Sequence, residues 1–128
     1  MKALVPFILV GVGGMGGSVT RYLLTILMRD IGRLPYGTLA SNCAGCFIAG
    51  MISALTIDIP LLSSEARLLL ATGFCGGFTT LSSLMYETAQ QVRDSEYVTA
   101  LLYVGGTLAG AGIAFVAGMT IIKLIYRG

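Results

Sequence analysis

Four apolar stretches, each long enough to cross a bilayer, are separated only by short charged punctuation. A spanning helix needs about 20 residues at about 1.5 Å each to cross about 30 Å of hydrocarbon. The first stretch covers about residues 4–28 and is closed by Arg29, Asp30, Gly32, Arg33 and Pro35. The second covers about 36–57 and is closed by Asp58 and Pro60. The third covers about 66–91, following Glu65, and the fourth about 97–122, ending at Lys123 and Arg127. With no water in the hydrocarbon core, the backbone must satisfy its own hydrogen bonds, and a helix does so within one segment. The expected fold is therefore an all-α integral membrane bundle of four transmembrane helices, a single domain over residues 1–128. No linker is long enough to hold a second domain. Tyr36, Tyr97 and Tyr126 fall near span ends, where amphipathic rings favour the interface.

Composition closes off the alternatives. Only 11% of residues are charged, against about 25% in a soluble domain, too few to cover a water-facing globule. A net charge of +2 is too small for a nucleic-acid partner. The chain has no His, so His-based metal sites and His general bases are absent. Cys43, Cys46 and Cys75 all lie in apolar runs, so the CxxC spacing of Cys43 and Cys46 reads as packing, not as a redox or metal motif. Lys2 followed by apolar residues resembles a signal peptide weakly. No small-residue cleavage site follows, so the N-terminus reads as mature sequence.

Gly11-Val12-Gly13-Gly14-Met15-Gly16 has the GxGxxG spacing of dinucleotide-binding turns. That turn needs a βαβ context and an acidic residue about 20 positions on. Here Asp30 comes too early, in a charged loop, and no strands follow. Gly13 and Gly17, four apart, instead suit close helix packing, and Gly106 and Gly110 suit the same reading. Polar residues inside spans are more informative. Arg21 is a charge at membrane depth, which normally faces protein or water. Asn42 is a strong donor and acceptor, and Tyr103 and Thr107 share one face of the last span. Arg21, Asn42, Thr79, Thr80, Ser82, Tyr103 and Thr107 together offer donors and positive charge without a fixed carboxylate, which is what a small anion needs to shed its hydration shell.

The third stretch carries Thr72-Gly73-Phe74-Cys75-Gly76-Gly77-Phe78-Thr79-Thr80-Leu81-Ser82-Ser83 at membrane depth. Each Gly weakens a helix by about 1 kcal/mol relative to Ala. Either the helix breaks there, exposing backbone groups that bind ions, or the stretch is a small-residue packing face. Orientation signals are nearly balanced: Lys2, Arg67, Lys123 and Arg127 share one side, and Arg29, Arg33 and Arg93 the other. Because Lys/Arg bias sets orientation, both insertion directions are expected.

These residues resemble the Fluc (CrcB-type) fluoride channels along nearly the whole chain. The likeness rests on Arg21, on Gly37-Thr38-Leu39-Ala40-Ser41-Asn42-Cys43-Ala44-Gly45, and on Thr72 to Thr80 running on to Glu87. It implies an antiparallel, dual-topology homodimer with two pores, passing fluoride passively across the plasma membrane and so relieving fluoride toxicity. It also implies a central Na+ at the dimer interface, held by the backbone carbonyls of Gly76 and Thr79. Asn42 would donate to fluoride, Arg21 would lend charge near the vestibule, Tyr103 and Thr107 would line a polar track, and Thr80 and Ser82 would add hydroxyls beside the break. Two phenylalanines of the family pattern are here Leu81 and Leu84, and a further hydroxyl position is Ala111. A chain lacking those rings could also pair with a second, homologous subunit. The rivals are a proton-coupled small multidrug-type exporter, which requires a deep carboxylate that only Glu87 could supply, and a subunit with no pore of its own. No enzyme chemistry is expected.

Overall fold

The computed structural model describes residues 3–127. Lys2, which entered the orientation argument, lies outside the described residues, as does the side chain of Arg127. Helix α1 spans Val5–Leu27, and α2 spans Tyr36–Ser53 and continues as a π-helical turn over Ala54–Asp58. The third span, Ser64–Arg93, is composite. It opens with α3 (Ser64–Arg67), widens into π-helical geometry over Leu68–Cys75, tightens into α4 (Gly76–Phe78) and resumes as α5 (Leu81–Arg93). Helix α6 covers Tyr97–Arg127 and runs on past Lys123.

Local chemistry explains the boundaries. Pro6 opens α1, where a missing N–H is harmless. The Ser63 hydroxyl caps α3 by accepting from the Ala66 amide at 3.1 Å, with Glu65 in the first turn. Ser95 holds φ 63° between α5 and α6, and the Glu96 amide closes that turn on the Gln91 carbonyl at 2.8 Å. Between α4 and α5 the chain leaves helical geometry altogether: Thr79 (φ −85°, ψ 154°) and Thr80 (φ −154°, ψ 116°) are both extended.

Glycines set how closely the helices approach. A Cβ on Gly13 would strike the Leu69 carbonyl, and one on Gly17 the Phe74 carbonyl, so α1 lies directly on the backbone of the third span. Gly73 and Gly77 make the reciprocal approach to Gly13 and Gly14. Gly50 and Gly118 do the same between α2 and α6, against the carbonyls of Phe115 and Phe47. The expected packing role of Gly106 does not hold within the chain. Gly106 faces open space on α6, as do Gly105 and Gly112, while Gly110 meets the Cys43 sulfur. Helix α6 turns a different face, centred on Gly118, toward α2.

Only 11% of the most apolar window of the first and fourth spans is buried within the chain. Phe7, Val98, Leu101 and Ile113 are each more than 70% exposed, a surface that lipid or another apolar partner has to cover. The interior is unusually polar: Thr38, Ser41, Asn42 and Thr107 are buried beside Phe78, Leu84 and Tyr103. Each such group needs a partner, and following those partners leads to the functional site. At the far end, Lys123 pairs with Asp58 at 3.0 Å and ties α6 to the end of α2.

Candidate functional site

The interruption at Thr79 and Thr80 is held open by Asn42. In a continuous helix the Thr80 N–H would bond the Gly76 carbonyl. Here it donates to Asn42 Oδ1 at 2.7 Å, while Asn42 Nδ2 donates back to the Thr80 carbonyl at 3.1 Å. One amide side chain thus pairs with both sides of an extended residue, as a neighbouring strand would. The Gly76 carbonyl is left without its helical donor, and Gly76 itself is exposed. Helix α2 reaches the interruption because Gly45 lies against the Thr79 methyl and the Phe78 ring.

The two helical ends that meet here have opposite character. The α4 end presents carbonyls and favours cations, while the α5 end presents amides and favours anions. Thr80 caps α5: its hydroxyl accepts from the Ser83 amide at 3.1 Å and lies 3.1 Å from both the Ser82 and Ser83 hydroxyls. At the α4 end Arg21 donates from Nε to the Gly77 carbonyl at 3.2 Å. The Thr79 hydroxyl turns back to the Cys75 carbonyl at 2.9 Å.

A pocket of about 200 Å³ opens on the α5 end, bordered by Asn42, Thr79, Thr80 and Thr107 and by Leu81 and Leu84. It brings together several of the residues singled out from sequence, but Arg21, Gly76, Ser82 and Tyr103 lie outside its lining. Ser82 is exposed. The Thr107 hydroxyl donates to the Tyr103 carbonyl of its own helix at 2.7 Å. Tyr103 donates its O–H to Glu87 Oε2 at 2.6 Å, and Thr38 donates to Glu87 Oε1 at 2.8 Å. Glu87 therefore links α2, α5 and α6 through both oxygens, and it also borders a polar cleft with Arg33, Gln90, Asp94 and Glu96 near the end of α5. Sequence reasoning assigned Thr38 no role of its own and offered Glu87 only as the carboxylate that an exporter would require. The available signal was that Thr38 lies one turn before Asn42 on the same face of α2.

The sequence pattern of the family described as CrcB-like protein, Camphor Resistance (CrcB), matches residues 8–119. The chain belongs to the CrcB family. Relatives named Fluoride-specific ion channel FluC include one from Chlorobaculum tepidum, 50% identical over 91% of this chain and 94% of the relative. Another, from Chlorobium phaeobacteroides (strain BS1), is 48% identical over 91% and 92%. A third, from Leptospira interrogans, is 40% identical over 91% and 93%. CrcB membership makes this a multi-pass channel-type membrane protein and not an enzyme.

Within this CrcB chain, Leu84 is 1% exposed and Leu81 is 64% exposed, so the two leucines do different things. Leu84 fills the wall between α5 and its neighbours, and Leu81 caps the pocket from outside. Phe78, stacked on Phe74 at 5.4 Å and buried, does not line the pocket and does not replace a ring there. Leu84→Phe adds volume to a filled site, which costs about 1–3 kcal/mol, although the adjoining pocket can take the extra atoms. The double variant Leu81→Phe, Leu84→Phe is expected to fold, to lose no more than about 2 kcal/mol of stability, and to keep or raise anion flux. Thermal unfolding and liposome flux of the purified variant check both expectations.

Proposed function

We propose that this chain is a fluoride-selective channel that lets fluoride leave the cell passively across the plasma membrane and so relieves fluoride toxicity. The observation that carries this reading is the third span, where an amide-presenting helix end opens on a pocket bordered by Asn42, Thr80 and Thr107. Amide N–H groups at a helix start and a side-chain amide are the donors that replace the water shell of a small anion. The names of the relatives agree with it. Ser82 and Tyr103 extend the polar route on either side of that pocket, although the Tyr103 hydroxyl reaches an anion only by leaving Glu87.

The working unit in this reading is an antiparallel, dual-topology homodimer with two pores. The near-even Lys/Arg split supports it, and so does the open space over Gly105, Gly106 and Gly112, which admits a second helix. The central Na+ belongs to the same proposal. Oxygen donors suit a hard cation, and the Gly76 carbonyl has lost its helical donor to Asn42. Gly76 and Thr79 would hold the ion through backbone oxygens. Two carbonyls from one chain leave its shell incomplete, so a second copy would supply the rest. The ion would supply fixed positive charge between the two subunits.

Two experiments test the reading. A fluoride-sensitive host lacking its own exporter should regain growth in fluoride when it expresses this chain, and unchanged sensitivity would count against export. Reporters fused to the termini should appear in both compartments, whereas signal from one side alone would reject the antiparallel homodimer. A second reading is favoured by one observation: the Glu87 carboxylate is held between Thr38 and Tyr103 of two other helices, and a proton-coupled exporter needs a carboxylate. Flux that requires a proton gradient would select it. Flux only after mixing with a second homologous chain would select the partner-subunit alternative.

A further inference from the structure

Gly13, Gly17, Gly73 and Gly77 let α1 lie on the backbone of the third span, and one turn beyond Gly17 stands Arg21. Its Nε donates to the Gly77 carbonyl at 3.2 Å, and the Ser18 hydroxyl lies 3.5 Å from the same oxygen. In a continuous helix this carbonyl would accept from Leu81, beyond the extended residues Thr79 and Thr80. It therefore belongs to the open carbonyl end of α4, where partial negative charge collects and a cationic side chain is stabilised. Gly76 and Gly77 are also the most permissive backbone in this part of the chain, since glycine accepts nearly any dihedral pair. A Cβ at Gly76 would meet nothing within 4 Å, so packing does not restrain that residue from the side. Its neighbour Gly77 is held on one side by the Gly14 backbone, and the tether on the Gly77 carbonyl adds a second restraint.

We infer that Arg21 is a positioning residue: with Ser18 it fixes the Gly77 peptide and so aims the adjacent Gly76 carbonyl at the central cation. The inference rests on the proposed central Na+. Arg21 takes the Gly77 carbonyl, one of the two between those assigned to the ion, leaving Gly76 and Thr79 free to face it.

The test is the thermal unfolding midpoint of the purified chain across a sodium series, with N-methylglucamine holding ionic strength constant. The unmodified chain should be stabilised by sodium in a saturable way. Arg21→Gln should raise the half-effect sodium concentration about tenfold, through loss of a charge-assisted hydrogen bond. Ser18→Ala removes the second donor to the same oxygen without touching charge, and should shift it in the same direction by about twofold. If Arg21→Gln fails to fold, Ser18→Ala carries the test alone. Both variants at the unmodified half-effect sodium concentration would overturn the inference and leave the central-ion reading intact. No sodium response in the unmodified chain would overturn both.

Discussion

Replacing Asn42 by Asp should abolish fluoride flux almost completely, by about a thousandfold. Two effects act together. The variant loses the Nδ2 donor that holds the Thr80 carbonyl at 3.1 Å and sets an oxygen against that carbonyl instead. It also places a negative charge on the wall of the pocket beside the α5 end. At an effective dielectric constant of about 20, like charges about 4 Å apart repel by about 4 kcal/mol, which is roughly three decades in rate. Asn42→Ala separates the two effects. It removes the clamp without adding charge and should cost about 1–3 kcal/mol, a loss of about tenfold to a hundredfold. Liposome flux for the three proteins, with unfolding midpoints alongside, gives the comparison. Equal flux from the unmodified chain and from Asn42→Asp would mean that the anion passes elsewhere.

The second large effect is expected at Gly17. A Cβ there falls on the Phe74 carbonyl and 2.7 Å from the Phe78 amide. Both are helix backbone and cannot turn aside as a side chain would. Gly17→Val therefore has to push α1 away from the third span, breaking the dispersion contacts that hold membrane helices together and drawing Arg21 off the Gly77 carbonyl. A loss of about 3 kcal/mol or more is expected, read as loss of the monodisperse peak in size exclusion and a lowered unfolding midpoint. Gly106→Ala, where the chain leaves open space, should leave the folding of the chain unchanged. Retained assembly in Gly17→Val would contradict the packing described here.

What could be read without coordinates followed what is local. Four runs of apolar residues define four helices because length and hydrocarbon thickness decide the matter. Gly13 and Gly17 could be assigned to a packing face because residues four apart share a side of a helix. The same rule did not place Gly106 against a helix of this chain, since it says which residues share a face but not which face meets a neighbour. The polar centre was hidden for a different reason. Asn42 and Thr80 are 38 residues apart, and Thr38 and Glu87 are 49 apart, so no spacing rule links them. Arg21 could be read as facing protein because an unpaired charge in hydrocarbon is costly. That its partner is a backbone carbonyl of the third span depends on the glycine contacts that bring α1 so close.

The central claim is passive, fluoride-selective conduction, and it is tested most directly by ion release from liposomes containing the purified chain. Vesicles loaded with fluoride and chloride at equal pH inside and out, with a potassium ionophore to carry balancing charge, are followed with electrodes for both anions. The expected result is rapid fluoride release down its gradient, with chloride retained and no requirement for a proton gradient. Chloride release alongside fluoride, or fluoride release only when a proton gradient is imposed, would contradict it.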